Sequence, residues 1–159
     1  MRTPKIYIET TIFNHYFDTD RDSHPATLAL FDEIKSGKYK AYTAPYVVDE
    51  LKKAHEPKRT KMLNLITDYD IIVLTANDET QQLADSYIYE GIIPDSHRYD
   101  SLHIASATVN ELDFIISMNY QHINRHQTKT LTSLINAKHG YKPITILTPM
   151  EVVDHENQL

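Results

Sequence analysis

At 159 residues the chain has the length of one domain, 1–159, with enough apolar surface for a core of its own. Its 41% hydrophobic and 24% charged residues exclude a disordered chain, and no apolar run approaches the ~20 residues of a membrane span. A formal charge of −6 argues against general coating of nucleic acid, and the absence of cysteine excludes disulfides, thiolate zinc sites and cysteine nucleophiles. With "MRTPK" leading straight into a strand and no apolar signal segment, the expected location is the cytoplasm.

The first predicted strand, 4–9 (PKIYIE), ends on an acid, Glu9, followed by Thr10 and Thr11. A chain leaving its core ordinarily turns there on Gly, Asn or Ser. A helix over 25–36 opens near Pro25, carries Leu28, Phe31 and Ile34 at helical spacing and stops before Gly37. After a strand at 39–43, a helix over 45–55 starts at Pro45 and carries Glu50. The stretch "KKAHEPKRTK" that follows holds Lys52, Lys53, Lys58, Arg59 and Lys61, a basic segment in an acidic chain, and runs into a helix over 57–67. A strand at 70–74 precedes a helix over 78–90, with Asn77 as N-cap and Asp78 and Glu79 in its first turn. In the helix over 97–110, Asp100, His103 and Ala107 share a face. The strand at 113–117 runs into "SMNYQHIN", with Ser117 and Asn119 at its carboxyl end; a helix over 127–138 and a strand at 144–147 close the pattern.

Strands alternating with helices, most of them apolar throughout, imply a parallel sheet covered on both faces, whose functional crevice lies outside the carboxyl ends of the strands. Glu9, Glu50, Asp100 and Asn119 all have that address. Carboxylates gathered in one place repel unless a cation or an acid–base task compensates, and such hard oxygen ligands suit Mg²⁺ or Mn²⁺. Gly37, Gly91 and Gly140 are the only glycines, so there is no glycine-rich phosphate loop, and a metal would have to do most of the work of handling phosphate. His122 and His126 have the spacing of ligands on one helix face, but the chain has no cysteine and no HExxH pattern, and the sequence gives zinc little support.

These segments resemble the PIN-domain family of metal-dependent nucleases, which includes the toxins of VapBC-type toxin–antitoxin pairs. "IYIETTI" is similar to the family's opening strand with its first acid, "APYVVDEL" to the helix with the second, "YDSLHIASA" to the Asp-x-x-His-x-x-x-Ala signature with the third, and "LDFIISMNYQHINR" to the strand and turn that usually end in Thr-x-Asp. The resemblance spans nearly the whole chain and implies a three-layer α/β/α sandwich around a five-stranded parallel sheet. It further implies a ribonuclease in which Glu9, Glu50 and Asp100 bind Mg²⁺ or Mn²⁺ and Asn119 completes or orients the shell. Thr10, Thr11 and Ser117 would be supporting groups; His103 is a helix residue satisfied by its neighbours or, in the functional alternative, a supporting group bonded to Asp100. Lys52, Lys53, Arg98 and Arg59 would contact RNA phosphates, with tyrosines such as Tyr16, Tyr46 and Tyr120 available for base stacking. An antitoxin and a second copy of the chain are the implied protein partners.

Two departures stand out: Glu9 where most members have Asp, and Asn119 where most have a fourth acid. Both occur together in a group of PIN-like proteins with "YIETT" and an Asn-x-x-His-Ile turn. The loss of one charge keeps a second reading open, a catalytically weak or inactive RNA- or protein-binding module. A receiver domain or aspartyl-phosphate phosphatase also gathers acids at strand ends, but would carry an acidic pair or Asp-x-Asp after the first strand, and "YIETT" supplies neither.

Overall fold

The computed structural model describes residues 2–157. Its strands are β1 (Lys5–Ile8), β2 (Lys40–Thr43), β3 (Ile72–Val73), β4 (Phe114–Ile116) and β5 (Thr145–Leu147). They form one parallel sheet in the order β3-β2-β1-β4-β5. The expected five-stranded parallel sheet with helices on both sides is thus the observed architecture. Ile6, Tyr7 and Ile8 are all completely buried, because β1 has a strand on each edge and helices over each face, so its side chains do not alternate between core and solvent.

The strand order places the functional crevice. From β1 the chain first builds outward through β2 and β3, then returns to lay β4 against the other edge of β1. The winding therefore reverses between β1 and β4, and ligands of open parallel sheets bind at the carboxyl edge of that junction. The register aligns Ile8 with Ile116, so the residues that leave the two strands side by side are Glu9 and Ser117. A hydrogen bond from the Glu9 N–H to the Ile116 carbonyl, 3.1 Å, carries the ladder one residue past β1.

The helices are α1 (Thr10–His15), α2 (His24–Lys35), α3 (Pro45–Lys52), α4 (Lys58–Asp68), α5 (Asp78–Tyr89), α6 (Arg98–Val109), α7 (His126–Lys138) and α8 (Pro149–Asn157). Two of them, α1 and α8, lie outside the sequence expectation. Helix α1 has only six residues and opens on two β-branched threonines, a poor isolated helix; burial of Ile12, Phe13 and His15 holds it in place. Helix α8 starts with a reciprocal cap: the Thr148 hydroxyl accepts from the Glu151 N–H at 3.1 Å, and the Glu151 carboxylate accepts from the Thr148 N–H at 3.0 Å. The helix expected over 45–55 stops at Lys52, and that over 97–110 is a 3-10 turn (Asp95–His97) followed by α6. Gly37 follows α2 at φ +86°, a left-handed conformation that lets its N–H reach the Ile34 carbonyl and end the helix.

Helix α6 is buried continuously from Asp100 to Thr108. Small residues make this possible: Ala105, Ser106 and Ala107 allow close approach, and the Ser101 hydroxyl donates to the Ala84 carbonyl of α5 at 2.7 Å. Wedged in this way, α6 carries Asp100 and His103 in its first turns to the carboxyl edge of the sheet.

Candidate active site

Glu9 leaves β1 in extended conformation, φ −85° and ψ 160°, and α1 begins at the next residue. That abrupt change of direction leaves its side chain at the sheet edge with only 2% of its surface exposed. Oε1 of Glu9 accepts from the Thr11 hydroxyl and from the Ser117 hydroxyl, each at 2.6 Å. Both hydroxyls are themselves held by the turn after β4, since Thr11 Oγ1 accepts from the Met118 N–H at 2.9 Å and Ser117 Oγ from the Asn119 N–H at 3.0 Å.

Glu50 reaches the same edge from α3, which starts after the extended Ala44 with Pro45 in its first turn. Its Oε1 accepts from the Thr10 hydroxyl at 2.6 Å and lies 2.7 Å from His103 Nε2. The other ring nitrogen of His103, Nδ1, is 2.7 Å from the Tyr7 hydroxyl, and both Tyr7 and His103 are fully buried. With Tyr7 donating to Nδ1, the ring presents Nε2–H to Glu50, and both ring nitrogens are matched. His103 is thus satisfied by its neighbours Tyr7 and Glu50, and its carboxylate partner is Glu50 in place of Asp100.

Asp100, 9% exposed, accepts from the Asn119 amide through Oδ1 at 3.2 Å, and its Oδ2 lies 3.7 Å from His97 Nδ1. Of the two roles expected for Asn119, completing or orienting the shell, its contacts fit the second. Its side-chain oxygen accepts from the backbone N–H groups of Gln121 at 3.2 Å and His122 at 3.0 Å, which engages both lone pairs. The side chain thus organises the turn and steers Asp100, and offers no oxygen to a metal shell.

The three acids share one pattern. One oxygen of each is fixed by protein donors, whereas Glu9 Oε2, Glu50 Oε2 and Asp100 Oδ2 have no protein hydrogen bond and are not sealed from solvent. Burial raises the Glu9 carboxyl above its ordinary range, against the opposing pull of His103 and the two hydroxyls. Asp100 is raised too, by burial and the nearby charge of Glu50, despite His103, His97 and Asn119. Burial also acts on Glu50, but the His103 hydrogen bond, its charge and the Thr10 hydroxyl outweigh it, and Glu50 is lowered. For His103 burial opposes the charged ring, and Glu50, Glu9 and Asp100 prevail to raise it. No lysine or arginine pairs with Glu9, Glu50 or Asp100 among the described residues. Acids with little exposure, each keeping one oxygen without a protein hydrogen bond and none paired with lysine or arginine, fit a hard divalent cation. The donor atoms of the three acids do not all come within 4.8 Å of one another.

The basic residues divide. Lys53 lies 5.6 Å from the Tyr99 ring, and both line a cleft of about 300 Å³ together with Glu50, His97 and Asp100. Lys52 is exposed on the last turn of α3. Arg98 is turned toward α5, 2.6 Å from Asp85 and 3.0 Å from Gln81, and Arg59 pairs with Glu56 at 3.4 Å. Of the tyrosines, Tyr16 packs edge-on against Phe31 and Tyr69, Tyr46 is buried beside Tyr99, and Tyr120 is 54% exposed. His126 opens α7 and is exposed, whereas His122 precedes that helix, so the two do not form a pair on one helix face. Tyr7, His97 and Tyr99 were not anticipated. A tyrosine between two isoleucines of a buried strand is a legible signal for Tyr7, because its hydroxyl must find a partner; for Tyr99 only proximity to Asp100 in the sequence points that way.

No protein-family model matches the chain, and no curated protein matches it. Solved structures do. The VapBC2 complex from Rickettsia felis, bound to a DNA fragment from its promoter, is similar at a TM-score of 0.57 and 16% identity, over 91% of this chain and 98% of that one. The Mycobacterium tuberculosis toxin VapC20, described as cleaving the sarcin-ricin loop, is similar at a TM-score of 0.53 and 10% identity, over 87% of this chain and 98% of that one. At these identities the likeness speaks for fold: the chain has the PIN-type α/β fold of the VapC toxins.

Proposed function

We propose that the chain is a divalent-metal-dependent endoribonuclease, using Mg²⁺ or Mn²⁺, and the toxin of a toxin–antitoxin pair, with all of 1–159 acting as one domain. The observation that carries this reading is that Glu9, Glu50 and Asp100, which follow a strand end or stand on helices that begin at the carboxyl edge of the sheet, each have one oxygen tied back to the protein and one without a protein hydrogen bond. The cleavage of the sarcin-ricin loop by VapC20 supports RNA as the substrate class, and the VapBC2 assembly supports an antitoxin partner.

Glu9, Glu50 and Asp100 would hold the ion. When bound, it supplies a polarised water for attack on a phosphodiester and neutralises charge on the phosphoryl oxygens. Thr11 and Ser117 fix the rotamer of Glu9, Thr10 and His103 fix that of Glu50, and Asn119 fixes that of Asp100. Tyr7 locks the ring of His103. Lys53, at the rim of the cleft, is placed to meet a phosphate of the RNA strand, with Lys52 beside it; Arg98 and Arg59 would have to leave their acidic partners to join them. Tyr99 offers a face for a base.

The test is calorimetric titration of Mg²⁺ and Mn²⁺ into the native protein and into Glu9→Gln, Glu50→Gln and Asp100→Asn, with RNA cleavage followed in parallel. Each substitution is expected to weaken ion binding at least tenfold and to reduce cleavage below one part in a hundred. Native protein that binds neither ion at millimolar concentration sinks the proposal. The engaged oxygen of Asn119 favours a second reading, an RNA- or protein-binding module of the same fold, which predicts RNA binding without ion dependence or cleavage.

A further inference from the structure

Among the His, Asp and Glu side chains of the described residues, the group of three whose ligand atoms all lie within 4.8 Å of one another is not the acid triad. It comprises His97, Asp100 and His122, one donor atom from each within 4.8 Å of the others. They arrive from two directions: His97 ends the 3-10 turn before α6, Asp100 stands in the first turn of α6, and His122 lies in the loop after β4. The two imidazole rings are 4.0 Å apart, centroid to centroid, with a tilt of 38°.

Three further features are those of a prepared ligand set. Nε2 of His122 is sealed from solvent and has no hydrogen-bond partner, an unmet polar group that a metal would satisfy. The backbone of His122 is pinned at both ends, its N–H donating to Asn119 Oδ1 at 3.0 Å and its carbonyl accepting from the Thr128 hydroxyl at 2.7 Å. Asn119 also donates to Asp100 Oδ1, which leaves Oδ2 on the side of His97. One amide thus sets the position of two members of the group. His97 is 46% exposed, which provides an entry path and freedom to adjust.

We propose that His97, Asp100 and His122 form a binding site for a first-row transition-metal ion of the Zn²⁺ type, separate from the ion held by the acids and sharing only Asp100 with them. Two imidazoles and one carboxylate are borderline donors that discriminate against Mg²⁺ and favour Zn²⁺, Co²⁺ or Ni²⁺. Donors of a tetrahedral Zn²⁺ lie roughly 3.4 Å apart, so the group has to contract around an ion, and His97, 46% exposed, is the member with room to move. Three protein ligands leave one position for water. Because Asp100 belongs to both sets, an ion here draws a ligand away from the acid crevice. The site does not depend on the chain being a nuclease.

The experiment is calorimetric titration of the full chain with Zn²⁺, and visible absorption on addition of Co²⁺, for the native protein and for His97→Ala, His122→Ala and Glu9→Gln. One equivalent of Zn²⁺ is expected to bind at micromolar concentration, at least tenfold more weakly in either histidine variant and within threefold of native in Glu9→Gln. In the unaltered protein, Zn²⁺ should shift the ring ¹⁵N resonances of His97 and His122, which removes any dependence on how the variants fold. Zn²⁺ affinity unchanged in both histidine variants, ring resonances that do not move, or loss of Zn²⁺ binding in Glu9→Gln would overturn the proposal. Mn²⁺ binding and RNA cleavage, expected to be lost in Glu9→Gln while Zn²⁺ binding remains, test the nuclease reading independently.

Discussion

Tyr7 is a small lever on a buried network. Its hydroxyl is the partner of His103 Nδ1, and Nε2 of the same ring holds Glu50, so a change under the sheet is transmitted to the crevice through one imidazole. Tyr7→Phe keeps the ring volume and removes the hydroxyl, leaving a buried nitrogen unmatched at a cost of about 1–3 kcal/mol. The expected result in urea unfolding is a lower midpoint with an unchanged slope. Divalent-ion affinity should fall about 10-fold, the size typical of losing a group that orients a ligand. An affinity equal to native would separate Tyr7 from the site. The acids themselves were legible in the sequence because strand ends and helix starts follow from apolar periodicity, and residue type does the rest. The direction of each side-chain bond was not, because His103 lies within reach of two acids along the chain and only packing decides between Asp100 and Glu50. Asn119 is the same case: its type permits a ligand or an organiser, and the backbone N–H groups of the turn select the latter.

Elements are secured at the edge of the sheet opposite the crevice. Asp113, just before β4, accepts from the Arg2 guanidinium at 2.8 and 2.9 Å, from the Lys142 ammonium at 2.7 Å and from the Lys5 N–H at 2.8 Å. It fastens the starts of β1 and β4 to the segment that leads into β5. The Arg2 hydrogen bond above all, then those of Lys142 and Lys5, holds its carboxyl well below the usual range against the effect of burial. A carboxyl depressed in the folded state stabilises fully above its unfolded pKa of about 4 and loses that contribution as pH falls toward the lower folded value. Asp113→Asn is therefore expected to cost roughly 1–2 kcal/mol at pH 7, with the gap to native narrowing steadily below about pH 4, and to leave ion binding unchanged. Unfolding curves across that pH range check it; a gap independent of pH would remove charge from the explanation. At this scale the sheet and most helices could be read from period and caps. Helix α1 could not, since tertiary burial overrides its weak propensity, whereas the Thr148–Glu151 cap of α8 was present in "TPME" as a recognisable start. The strand expected at 70–74 shrinks to Ile72–Val73 because β3 is an edge strand with one neighbour, and both residues are about two-fifths exposed.

For the whole molecule, a charge of −6 sets a condition on any RNA that approaches. General attraction is absent, so binding must rest on a few local cations, Lys53 foremost. In RNA-binding titrations over a salt series, the dependence of log affinity on log salt is expected to be shallow, and Lys53→Ala to reduce its slope by about 0.7, the share of one phosphate contact on a single strand. A slope unaffected by Lys53→Ala would place the strand elsewhere on the surface. The central position of β1 has a further consequence, in time. Glu9 follows the first strand in chain order, yet one of the two hydroxyls that orient it belongs to Ser117, 108 residues later and just past the fourth of the five strands. An emerging chain holds its first acid without the partners that shape the crevice until most of its length has left the ribosome. Fragments that stop short of β4 lack Ser117 and Asn119, so the arrangement around Glu9 and Asp100 is completed only as the sheet closes.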